Sequence, residues 1–292
     1  MSSCSATGRS GLIGNRSAPE ARSGTGNRQR GTEAILRRMT SKSGREVVAF
    51  PDLEALSDAA AEIIVDIARE SVQARGRFSV ALAGGNTPKR TYQLLVERHR
   101  DEIDWSRWEI LFGDERFVPS DDTRSNYRMA RDALLAAAPI PAGHVHPIPT
   151  DTPTVGDAAD AYDRTLRQVL GTDATQPAAI DLVLLGVGPD GHTASLFPGS
   201  PVLAERTRWA RAVEAPTTVL PAVPRVTLTL PCLNGARNVV FLIAGNDKRP
   251  VVVEILEGGE ASQRYPAAMI RAAGRTVWLV EQSAMPPRVP NT

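Results

Sequence analysis

Asp190 and His192 stand two residues apart in the stretch Gly186 to Gly199, GVGPDGHTASLFPG, directly behind the apolar run IDLVLL. An imidazole with an unperturbed pKa near ~6.5 takes a proton from water at neutral pH, and a neighbouring carboxylate orients it. The pair therefore has the makings of a general base at the end of a buried strand. The same spacing also suits a histidine that merely caps a short helix. Of the other histidines, His99 lies in a charged helix end, VERHR, and His144 and His146 in a proline-flanked loop, AGHVHP, with no third metal-ligand pattern beside them.

The first six letters of the same stretch match the dinucleotide pattern G-x-G-x-x-G, and Glu214 lies at a suitable distance for a ribose contact. That reading needs a long helix starting inside the motif. Here HTASLF reads as a short helix that meets Pro198 and Gly199 at once, and proline clashes inside a helix. Asp190 would also face a pyrophosphate of like charge. A serine hydrolase fares no better: Ser195 follows His192, but no G-x-S-x-G elbow lifts it from a strand-to-helix turn. Ser195 is expected to pack or hydrogen-bond within the short helix.

Two further loops carry ligand chemistry. In Ala83 to Lys89, AGGNTPK, two glycines allow close backbone approach and a helix N-terminus offers free N–H groups, a ready anion site. The spacing of an ATP-type P-loop is missing. A glycine turn leading into a well-capped helix with no ligand fits the same letters. In Gly113 to Arg116, GDER, arginine suits bidentate phosphate recognition and the carboxylates suit sugar hydroxyls, while an ion pair at a strand end is the plainer alternative.

These loops need strands and helices to hold them. Residues 58–74 carry Ile63, Ile64, Ile67 and Ala68 on one helical face behind Ser57. FSVALA reads as a buried strand, followed by a helix with Thr87 as N-cap and Pro88 at its first position. WEILFG is the next strand, followed by the helix YRMARDALLAAA; a loop with Pro139 and Pro141 leads to a helix near 158–170. After IDLVLL come strands at VTLTL, VVFLIA and TVWLV and a helix beginning near Pro250. Alternating strands and helices predict a mainly parallel sheet covered by helices, with ligands at the carboxyl ends of the strands.

A chain of 292 residues can bury a sizeable core, and 42% apolar with 23% charged residues is an ordinary globular composition. The net charge of +1 gives no argument for nucleic acid or an anionic membrane surface. Cys4 and Cys232 are the only two cysteines, lie far apart, and Cys4 sits in the expected tail, so no disulfide framework or zinc site can be built; a reducing cytoplasm is expected, and no run approaches a membrane span. Residues 1–40, rich in Ser, Gly and Arg, are expected to form a disordered tail, with 41–292 as the folded domain. The tail's Arg and Ser content also suits an organelle transit peptide, although its glycines argue against an amphipathic helix; Met39 is an alternative initiator.

The segments ALAGGNTPKRTYQLL, LFGDERFVPSDDTRSNYRMA, DLVLLGVGPDGHTASLFPGS, PRVTLTLPCLN and FLIAGNDKRPVV together resemble the 6-phosphogluconolactonase family, whose superfamily also contains glucosamine-6-phosphate deaminases. The resemblance covers nearly all of the chain from about Val47. It implies a Rossmann-like three-layer αβα fold with a mainly parallel sheet, and a sugar-phosphate lactone hydrolase of the oxidative pentose phosphate pathway needing no metal or nucleotide. It implies His192 as general base, Asp190 as its orienting partner or a ligand of sugar hydroxyls, and Gly84, Gly85 and Thr87 as lining of the substrate site. Asp114 and Asn126 become candidate hydroxyl partners. Arg116, Arg225 and Lys248 become candidate cations for the phosphate or for developing charge. Ala83 and Asn86 depart from the family, where serine is frequent in that loop, without removing a glycine.

Two rivals share this fold. The deaminase loop, DGHIAFNEPG, carries a glutamate five residues after the histidine, where this chain has Phe197, a side chain that transfers no protons. A non-catalytic sugar-phosphate sensor would need an attached DNA-binding module, and no helix-turn-helix pattern precedes Val47. The expected partner is therefore a small-molecule lactone, with no nucleic acid and no membrane; the pattern implies no particular oligomeric state.

Overall fold

The computed structural model describes residues 37–171, 178–216 and 219–286. Its main sheet has seven strands: β1 (Arg37–Thr40), β2 (Glu46–Phe50), β3 (Phe78–Leu82), β4 (Trp108–Phe112), β6 (Leu182–Leu185), β9 (Asn238–Ile243) and β10 (Arg275–Glu281). Their spatial order is β1-β2-β10-β9-β6-β3-β4, and all pair in parallel except β1 with β2. β3, β6 and nearly all of β9 are buried along their length, which is why FSVAL, LVLL and NVVFLI read as continuous apolar runs rather than alternating ones.

Three helices show how the sheet is covered: α1 (Leu53–Arg75), α2 (Asn86–His99) and, later in the chain, α6 (Arg249–Glu257). The steps from β2 to β3 and from β3 to β4 move one way along the sheet, whereas β6 to β9 and β9 to β10 move the other way. With right-handed crossovers, α1 and α2 fall on one face and α6 on the other, giving three layers. The direction reverses between β3 and β6. A crevice is expected at their carboxyl ends, because their loops part to opposite sides.

A second sheet stands over those ends. β5 (Asp114–Arg116), β8 (Arg225–Leu228) and β7 (Ala210–Val213) form an antiparallel sheet in the order β5-β8-β7. β5 follows β4 after one residue, Gly113, whose N–H donates to Leu82 O at 2.9 Å and whose carbonyl accepts from Leu228 N at 2.8 Å. VTLTL thus belongs to this small sheet.

Several local expectations are corrected. α1 begins at Leu53, capped by Asp52 accepting from Ala55 N, so Ser57 lies inside the helix and is buried. α2 is not capped by Thr87: it starts at Asn86 after Gly85, which sits at φ 102 and offers no side chain. Starting there makes Pro88 the third helical residue, where its missing N–H is still one that no helical carbonyl would accept. YRMARDALLAAA begins as α3 (Asn126–Ala130) but runs on as a π-helical turn, Arg131–Leu135. HTASLF is no helix: Thr193 and Leu196 bridge each other across a tight turn. Residues 37–40, assigned to the tail, form β1 against β2, while residues 1–36 lie outside the described residues.

Two tyrosines pin the strand ends that carry the loops. Tyr92 of α2 accepts from Ala83 N at 2.8 Å and donates to Ala83 O at 2.9 Å. Tyr162, on α4 (Val155–Leu170), does the same to Phe112 at 2.7 and 3.0 Å. Burial pushes both phenols up, so they stay neutral and able to donate. Tyr92→Phe leaves a buried N–H and C=O unpaired. It is expected to destabilise the fold by about 1–3 kcal/mol, read from the shift in a denaturant unfolding curve.

Candidate active site

Between the β3 and β6 loops lies a cleft of about 400 Å³, roofed by β5 and β8. From the first loop it takes Gly84, Gly85 and Thr87. The amides of Asn86 and Thr87, in the first turn of α2, have no intrahelical acceptor and leave the positive end of the helix dipole at the cleft. Gly84 is required here by packing: a Cβ would lie 2.0 Å from Asn126 Oδ1.

His192 lines the cleft from the β6 loop, with its ring mostly buried. Nδ1 lies 2.5 Å from Asp190 Oδ1, which also accepts from the His192 amide at 3.1 Å. A carboxylate accepts only, so Nδ1 carries a proton, and in the neutral ring Nε2, with no partner among the described residues, holds the lone pair. Burial alone would raise the Asp190 carboxyl, but the hydrogen bond and charge of His192 outweigh it and hold the group below its ordinary value. Asp190 does not line the cleft; it stands behind the imidazole as its orienting partner. A Cβ on Gly188 would fall 2.1 Å from the His192 ring, so only glycine lets the ring lie flat on this turn.

Arg116 and Arg225 face each other in the register of β5 and β8, on one side of that sheet. Like charges so placed repel unless something negative sits near both. Arg225 is 2% exposed, lies 5.4 Å from the Phe197 ring centroid, and leaves Nε unpartnered. Burial, then the charge of Arg116, lowers its pKa against the pull of Asp114 and Glu115. Arg116 donates through Nη1 to Arg124 O and Asn126 Oδ1, both at 2.7 Å, and its buried Nε is likewise free of a partner. Two guanidinium groups lining one cleft suit an oxyanion. Lys248 also lines the cleft, with Nζ donating to Ala244 O at 2.6 Å.

The GDER cluster is not an ion pair. Glu115 is buried and accepts from the amides of Arg116, Asn126 and Tyr127, each at 2.7 Å, and from Ser125 Oγ at 2.9 Å. Burial pushes its carboxyl up despite those bonds. It thereby fastens the start of α3, which presents Asn126. Asn126 Nδ2 donates to Asp114 Oδ1 at 3.0 Å, so Asp114 and Asn126, both at the cleft wall, are already bonded to each other.

Sequence reasoning missed three features. Ser195 donates to Asp114 Oδ2 at 2.5 Å across the two loops. The Phe197 ring packs 4.9 Å from the His192 ring, centroid to centroid. Tyr92 and Tyr162 hold the strand ends. Only the tyrosines left a sequence signal, an isolated polar ring among apolar helical positions. His144 and His146, set aside as metal ligands, both approach Glu109, His146 Nε2 at 2.7 Å.

Fold and site define a class: an open α/β protein with a histidine paired to a carboxylate and an arginine-lined pocket where its sheet changes direction. Residues 51–278 match the family model described as glucosamine-6-phosphate isomerases/6-phosphogluconolactonase. The chain is 39% identical over 215 residues to the 6-phosphogluconolactonase of Synechocystis sp., covering 74% of this chain and 86% of that one. The 6-phosphogluconolactonase of Trypanosoma brucei superposes with a TM-score of 0.72 at 34% identity, over 82% of this chain and 96% of that one. A monomeric glucosamine-6-phosphate deaminase shares the fold, with a TM-score of 0.68 at 22% identity over 82% of this chain and 98% of that one. The chain belongs to the glucosamine-6-phosphate isomerase/6-phosphogluconolactonase family.

Proposed function

We propose that this chain hydrolyses 6-phospho-D-glucono-1,5-lactone to 6-phosphogluconate, in the oxidative pentose phosphate pathway. The observation that carries it is the Asp190–His192 pair, 2.5 Å apart, beside a cleft that His192 lines together with Arg116 and Arg225. The arginines and the α2 N-terminus seat the phosphate, which orients the lactone carbonyl beside a water on His192 Nε2. Nε2 removes a proton as the water oxygen bonds to C1, and the carbonyl electrons move onto oxygen. The oxyanion then reforms the carbonyl, the bond from C1 to the ring oxygen breaks, and the proton passes from Nε2 to that oxygen. Asp190 holds the transient imidazolium in place throughout. Lys248, with donors to spare, is assigned to developing charge or a substrate hydroxyl. The two 6-phosphogluconolactonases named above support this substrate.

The deaminase alternative needs a second proton carrier near His192, and the side chain in contact there is the apolar Phe197 ring. The decisive assay supplies purified protein with 6-phosphogluconolactone, following acid release above the spontaneous rate, and separately with glucosamine 6-phosphate, following ammonia. Rapid acid release without ammonia is expected; ammonia without lactone hydrolysis overturns the proposal. The reaction is assigned to the cytoplasm, in keeping with the free buried thiol of Cys232. No described helix is long and apolar enough to cross a membrane.

A further inference from the structure

Ser195 Oγ reaches Asp114 across 81 positions of sequence, and both side chains are buried. The Ser195 amide is held as well, donating to Thr227 Oγ1 on β8 at 3.1 Å. The turn is therefore fastened to both strands that carry the arginines. The other oxygen of Asp114 accepts from Asn126, whose Oδ1 accepts from Arg116. One unbroken chain of side chains, Ser195 to Asp114 to Asn126 to Arg116, thus joins the turn bearing His192 to the cation strand.

The turn is held in a conformation it would not adopt alone. Ala194, between His192 and Ser195 and lining the cleft, has φ 47, the one non-glycine residue with positive φ among the described residues. Such a conformation persists where the surroundings over-determine it. Two bonds at Ser195 do so from one side, and the Thr193–Leu196 bridge and the bond from Thr193 Oγ1 to Gly186 O, 2.8 Å, do so from the other. Asp114 has no ion-pair partner within 4.0 Å among the described residues, so donors such as Ser195 and Asn126 are what satisfy its buried oxygens.

We propose that Ser195 and Asp114 are a positioning pair: they tie the base-bearing turn to the arginine strand, so that an anion seated on Arg116 and Arg225 also aligns His192. The inference rests on the hydrolase reading above for its kinetic consequence, but not for the mechanical link itself. Neither residue needs to touch the reacting atoms.

Inorganic phosphate probes the link without turnover. In the intact protein, phosphate is expected to slow amide exchange both in peptides spanning 114–128 and in those spanning 188–197. In Ser195→Ala, protection of 114–128 persists with phosphate affinity within about threefold, while protection of 188–197 is lost. In kinetics, Ser195→Ala is expected to lower kcat on the phosphorylated lactone about 10- to 100-fold, the scale of a small misplacement of reacting groups, with KM within about threefold. The preference in kcat for phosphorylated over unphosphorylated gluconolactone shrinks with it, whereas a purely structural defect lowers both rates alike. Asp114→Asn is expected to act likewise, and the double variant to be no worse than Asp114→Asn alone. Protection of 188–197 that survives in Ser195→Ala, or that is missing from the intact protein, or additive losses in the double variant, would overturn the pair. Should the intact protein hydrolyse neither lactone, the hydrolase reading falls while the exchange experiment still decides the link.

Discussion

His192→Ala is expected to lower kcat on 6-phosphogluconolactone by about 10²–10⁴-fold, the usual contribution of a positioned general base. Calorimetric affinity for the product 6-phosphogluconate is expected to stay within a few-fold, because the groups assigned to the phosphate sit on β5, β8 and α2 rather than on the His192 turn. The unprotonated form of Nε2 is the one that accepts a proton from water. Asp190 supports this by keeping its charge: its carboxyl titrates below the ordinary value. Asp190 therefore stabilises both fold and base above that range and loses the effect only as pH falls through its folded value. Near-normal turnover in His192→Ala would remove the residue from the mechanism.

The second large effect concerns the arginines. Arg116→Ala and Arg225→Ala are each expected to lower kcat/KM on the phosphorylated lactone about 10- to 150-fold. That range corresponds to about 1.5–3 kcal/mol for a hydrogen bond to a charged group. On unphosphorylated gluconolactone each variant should differ from the parent by less than about threefold. Equal losses on the two lactones would mean that the arginines serve the carbonyl or the fold instead of the phosphate. Arg225→Ala also strips a cation from the Phe197 ring, so Arg116→Ala, on the more exposed strand, isolates the phosphate contribution better.

Much of the fold was legible because burial on both faces writes itself into letters. FSVAL, LVLL and NVVFLI are apolar end to end, and only strands buried on both sides of a parallel sheet need that. The site was legible where chemistry is local: Asp190 and His192 lie two residues apart, and a two-residue spacing in a glycine turn suffices to bring carboxylate and imidazole together. The resemblance carried the rest of the candidate cleft, and the cleft contains every proposed residue except Asp190, which stands behind its histidine.

What went unread depended on partners distant in the chain. Thr87 satisfies every local preference for a cap, yet Gly85 at φ 102 begins the helix earlier, since backbone geometry at the cleft outweighs a capping preference. HTASLF has helical letters, but bonds from Ser195 to Asp114 and Thr227 draw it into a turn. GDER looks like an ion pair, and its glutamate instead ties down the start of a helix ten residues on.

The sequence by itself determined the family, the strand runs, the glycine turns and the Asp190–His192 pair. The last three are each set within a few residues, by hydrophobic burial, backbone freedom and side-chain reach. Only the tertiary structure decided that Arg116 lies opposite Arg225, that Phe197 packs on His192, and that the buried Ser195 bonds to Asp114. Those facts require strands far apart in the chain to meet in one register, and no short window of sequence records that register.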